Sequence, residues 1–151
     1  MIQRIQTLFL LAAAVCLGLT FAFPFASIGS EVVYDINGLS GNSAIEPFLP
    51  IPLTYIVIAL IAFILIVIAS FNNRRRQLLL GKFNYIAILG VVALILFGGT
   101  DYSEKLGLDN SSVTYGIGTY LPLFALLFIF LANRAIKKDD ELVRSSTDRI
   151  R

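Results

Sequence analysis

The chain is 151 residues long, which leaves room for one domain. Its residues are 57% hydrophobic and 15% charged, which argues against an ordinary soluble domain, where ~45–50% and ~25% are usual. Histidine is absent and Cys16 is the single cysteine. The chain therefore excludes an internal disulfide and lacks the usual ligands of a zinc, haem or iron–sulfur centre, while its net charge of +2 says less than where the charges fall.

Four uncharged apolar blocks hold the hydrophobic surplus, and each approaches the ~20 helical residues that cross a ~30 Å hydrocarbon core. The first covers about 5–25. A cleaved signal peptide would share its basic start and the small residues Ala26 and Ser27. Its apolar run of ~20 residues exceeds the ~7–15 of a signal core, so a span is expected.

The loop 26–52 follows, with Glu31, Asp35 and Glu46 and no lysine or arginine. Residues 31–38 read as a short strand and a tight turn, with Asn37-Gly38 favouring a type I′ hairpin that needs positive φ at both positions. The Gly- and Ser-rich stretch beyond is a weak strand. Pro47, Pro50 and Pro52 then make an extended lead-in.

The second block, 53–71, has no polar stripe at helical period and no strand-like alternation of polar and apolar residues, so a membrane helix is expected. The loop 72–82 carries Arg74, Arg75, Arg76 and Lys82. The third block is 83–99. The loop 100–115 sets Asp101, Glu104 and Asp109 against Lys105.

In the fourth block, 116–133, Gly116 and Gly118 imply an irregular entry. A helix starting near Thr119 would place Pro122 in its first turn, where it costs little. The tail 134–151 continues as a surface helix. Asp140 and Arg144 are spaced to pair, and Ile136, Leu142 and Val143 would face headgroups. Tyr55, Tyr85 and Tyr120 read as interface anchors. Ala14 with Gly18, and Ala87, Gly90 and Ala93, offer small faces for close helix contact.

With four spans, alternate segments fall on one side, and eleven of the twelve basic residues share it, leaving Lys105 alone on the other. The positive-inside rule puts that side in the cytoplasm. The expected fold class is thus all-α: one integral membrane four-helix bundle with N-terminus and C-terminus both cytoplasmic. The outer loops are 26–52 and 100–115, the inner loop is 72–82 and the cytoplasmic tail is 134–151.

The chemistry of the blocks is sparse. None contains Asp, Glu, Lys, Arg or His, which counts against a proton-coupled pump. With no histidine and no carboxylate in the spans, no nucleophile–base pair can be assembled. No glycine-rich phosphate loop and no soluble RNA-binding domain appear, so no cofactor and no nucleic acid is expected.

Three segments together carry a family resemblance: MIQRIQTLFLLAAA, FNNRRRQLLLGKFNY and LANRAIKKDDELVRSSTDRIR. They cover about 50 residues, and the chain resembles the domain-of-unknown-function 4293 family, small four-span proteins of Bacteroidota. The resemblance implies a bacterial inner membrane and no known activity.

All three segments fall at the cytoplasmic face. Arg4, Arg74, Arg75, Arg76, Lys82, Arg134, Lys137, Lys138 and Arg144 are the candidate surface for membrane lipids or for another inner-membrane or cytoplasmic protein. The expected function is a non-enzymatic structural or interaction subunit. The alternatives are an oligomeric small-molecule or ion transporter or channel, and a lipid-acting enzyme using Asp101, Glu104 and Asp109.

Overall fold

The computed structural model describes residues 2–29, 32–40, 48–71, 73–109 and 112–148. The chain is mostly helical. Its helices are α1 (Ile2–Leu19), α2 (Leu53–Ala69), α3 (Arg74–Lys105) and α4 (Ile117–Asp148). Four short strands are inserted among them: β1 (Ala26–Ile28), β2 (Val32–Asp35), β3 (Gly38–Ser40) and β4 (Val113–Tyr115). The chain is therefore not all-α.

The helices pack in a ring. α1 lies against α4 and α2, and α3 lies against the same two. Each contributes one buried stripe at helical spacing, with Leu10, Ala13 and Leu17 from α1 and Val57, Leu60, Ile64 and Val67 from α2. Ile88, Val91 and Ile95 of α3 meet Ala125, Ile129 and Ala132 of α4 in the same core.

The outward faces are also apolar. Leu8, Leu11 and Val15, Ile58 and Leu65, Phe83, Ile86 and Leu89, and Leu123, Phe124 and Leu127 are all exposed. Surfaces of this kind mark contact with a further apolar phase or partner. Two helical stretches, Arg75–Lys105 and Ile117–Asp139, are long and apolar enough to cross a membrane, while Ile5–Leu19 and Leu53–Ala69 are shorter apolar helices.

The strands form one antiparallel sheet in the order β3-β2-β1-β4. It sits at the end of the ring where α1 and α3 finish and α2 and α4 begin. β1 pairs with β2 through Ser27 opposite Val33, and with β4 through Ser27 opposite Thr114. Tyr34 is buried beneath the sheet, with its ring 5.5 Å from Phe25 and 5.2 Å from Tyr102, centroid to centroid.

Several boundaries differ from the sequence expectation, each for a local reason. α1 stops at Leu19 rather than near 25. The Thr20 hydroxyl donates to Leu17 O at 2.6 Å, and the next amides bond three residues back, tightening the turn before Pro24. Most of the expected inner loop 72–82 is helix. Asn73, in extended conformation, caps α3 by accepting from the Arg76 amide, and the following run has no helix breaker. α3 also continues through 100–105, and β4 takes 113–115 of the same expected loop.

The hairpin turn is centred on Ile36-Asn37, since Asp35 pairs with Gly38. Gly38 alone carries the positive φ, at 117°. The Asp35 carboxylate accepts the Asn37 amide at 2.8 Å, a side-chain turn that supplants the expected Asn-Gly type I′ form. Residues 41–46 of the expected weak strand lie outside the described residues.

α4 begins at Ile117, so Pro122 falls in its second turn, beyond the expected first. Its opening amides are satisfied from outside. Gly116 donates to Phe25 O at 2.7 Å and Gly118 to Pro24 O at 3.1 Å. The Thr119 hydroxyl also reaches Phe25 O, at 2.6 Å. Gly118 has to be glycine, because a Cβ there would run into the Pro24 carbonyl.

Ala14 and Ala87 pack against the core, but the expected close helix contact does not fall at the glycines beside them. Gly18 and Gly90 have nothing within 4 Å of where a Cβ would stand. Close approach falls instead at Gly81 and Gly98. Ile136 belongs to the interior at 1% exposure, while Leu142 is exposed. The side chains of Val143, Asp140 and Arg144 lie outside the described residues.

Candidate functional site

The two ends of the ring carry opposite charge. Asp35, Asp101, Glu104 and Asp109 lie on or beside the sheet. Arg75, Arg76, Lys82, Arg134, Lys137 and Lys138 lie toward the other end. At the sheet end Lys105 is tied to Asp101 at 2.8 Å and sits 5.8 Å above the Tyr102 ring. A small cavity there, about 100 Å³, is lined by Tyr34, Leu49, Pro50, Leu53 and Tyr102. Burial, with Tyr102, Tyr115 and Asp35 as neighbours, pushes the Tyr34 hydroxyl well above its ordinary pKa.

At the basic end a larger groove of about 490 Å³ opens between α3 and α4. Helical spacing builds it. Leu78 and Lys82 are one turn apart on α3, while Phe130, Arg134, Lys137 and Glu141 follow at three or four residues along α4. The helices come close here because α3 has no side chain at Gly81. A Cβ at that position would collide with Asn133 Oδ1. That oxygen is buried and has no hydrogen-bond partner among the described residues.

The groove is electropositive. Lys82, Arg134 and Lys137 line it, opposed by one carboxylate, Glu141. The Lys137–Glu141 pair is long, at 3.9 Å, and both side chains are well exposed, so it contributes at most about 0.5 kcal/mol. Arg75 and Arg76 occupy the first turn of α3, where the helix dipole favours anions over cations. Their position there is electrostatically unfavourable unless an external anion is near.

Of the sequence-derived candidates, the structure gathers Lys82, Arg134 and Lys137 into this groove. Arg75, Arg76 and Lys138 are exposed on α3 and α4 outside its lining. The side chains of Arg4, Arg74 and Arg144 lie outside the described residues. Sequence reasoning missed Leu78 and Phe130. The available signal was Asn133, an amide one residue from Arg134 at the end of an apolar run.

No curated protein and no solved structure matches the chain. The family described as Domain of unknown function (DUF4293) matches residues 2–150.

Proposed function

We propose, from the premise that this chain belongs to the DUF4293 family, that it is a four-span bacterial inner-membrane protein acting as a non-enzymatic interaction subunit. Its basic end faces the cytoplasm and is the surface by which it engages partners. One observation carries this reading: exposed apolar side chains cover the outward faces of all four helices, between a basic end and an acidic sheet end.

A soluble protein would leave those faces in water at a cost of about 25 cal/mol for each Å². A bilayer removes that cost, and the charge asymmetry then sets the orientation. Exposed Tyr55 and Tyr120 stand near the sheet end, where amphipathic rings suit the opposite headgroup layer. α1 and α2 are short for a full crossing, at 18 and 17 residues. The turn after α1 and the Pro52 lead-in to α2 complete the thickness at the sheet end.

The test is a mild-detergent pull-down of the tagged full chain from native membranes, beside a chain truncated after Arg134. A stoichiometric protein retained by the full chain and lost on truncation is the expected result. If no partner is recovered with either, the subunit reading falls, and liposome flux measurements would take up the transporter alternative.

A further inference from the structure

We infer that the α3–α4 groove is a binding site for an anionic phospholipid, its phosphate held by Lys82, Arg134 and Lys137. The inference rests on the membrane reading above and adds a ligand to it. Two features of the groove point to this chemistry.

The first is charge. Three cations converge on one opening, and Lys82 and Arg134 have no ion-pair partner among the described residues. Arginine's planar fork suits two phosphate oxygens at once, while lysine serves as a point charge. Basic pockets between membrane helices on the cytoplasmic side suit lipid phosphates.

The second is shape and polarity. The volume of about 490 Å³ is that of a ligand site. Its lining is not uniformly polar: Leu78 and Phe130 lie beside the cations. Phe130 also belongs to the exposed apolar surface that includes Leu127 and Phe83. An amphiphile fits this arrangement, with its head on the cations and its upper acyl chains over Phe130. A free phosphate would leave the apolar part uncovered.

The experiment is native mass spectrometry of the full chain in detergent, titrated with phosphatidylglycerol, phosphatidylcholine or inorganic phosphate. Wild type should retain phosphatidylglycerol over phosphatidylcholine. Lys82→Gln and Arg134→Gln should each weaken it about fivefold, and the double variant about 25-fold. The control Arg75→Gln/Arg76→Gln removes two charges from the same end outside the groove, and should change binding by less than about twofold.

Equal losses in the groove and control variants, or no preference over phosphatidylcholine, overturn the site. Displacement by equimolar inorganic phosphate overturns the lipid as its ligand. The single variants alter exposed side chains, so they decide the matter should the double variant not fold. The membrane reading fails separately: a chain that stays soluble without detergent would show it before any lipid is added.

Discussion

Tyr34 on β2 lies directly over Gly98 on α3: a Cβ at Gly98 would stand 2.6 Å from the tyrosine hydroxyl oxygen. The sheet is seated on the helices by that contact, with Phe25 and Tyr102 flanking the same ring. The glycine is required for approach, since its φ is not in the positive region.

Gly98→Ala should therefore destabilise the fold by about 1–3 kcal/mol, the usual cost of forcing an extra carbon into a packed site. Tyr34→Phe in the same chain should recover part of that loss by removing the colliding oxygen. Thermal unfolding of the two single variants and the double variant in detergent gives the coupling. Simple additivity would show that the two residues do not meet.

The Tyr34 hydroxyl also predicts a pH dependence. Its pKa is raised in the folded chain, chiefly by burial, from an ordinary value of 10.0. The unfolded chain releases this proton first. Its contribution to stability is thus complete below about pH 10 and is lost as pH climbs toward the folded value. Melting temperatures at about pH 9 and about pH 11 should diverge more for wild type than for Tyr34→Phe. An equal drop in both would remove Tyr34 as the cause.

Asn84 is fully buried on α3, and neither atom of its amide has a hydrogen-bond partner among the described residues. Asn84→Leu keeps a similar volume and removes the unpaired polar group. It should raise stability by about 1 kcal/mol, which is about 2–4 °C for a chain of this size. A lower melting temperature would mean that the amide has a partner in the folded protein.

Orientation can be read with single cysteines in a Cys16→Ser background. Asp109→Cys should react with a membrane-impermeant maleimide on intact cells, and Lys138→Cys only after the membrane is opened. The reverse pattern would invert the proposed topology.

The helices were legible because a helix announces itself by length. The 53–71 block, uncharged throughout, contains α2 at Leu53–Ala69. The sheet was hidden because its strands are three or four residues long. β2 and β3 lay where a strand, a tight turn and a weak strand were legible. β1 and β4 are defined by each other, and no local pattern in Ala26–Ile28 or Val113–Tyr115 records a partner so distant in sequence.

The groove was half legible. Lys82, Arg134 and Lys137 stood out as charges flanking apolar runs. That Lys82 faces α4 depends on Gly81 admitting Asn133, and such a meeting of two helices is a tertiary fact. The positions of Phe130 and Leu78 beside the charges follow from the same meeting.

The pairing of β1 with β4, together with the bond from Thr119 to Phe25 across 94 positions, sets an order of assembly. During synthesis the segment after α1 emerges long before its counterpart ahead of α4. The cap can fasten only when the third helix is complete and the fourth has begun, a late and entropically expensive closure. Until then β1 presents an unpaired edge. A chain interrupted between α3 and α4 would remain unclasped, exposing that edge to pairing with another chain and marking it as unfinished.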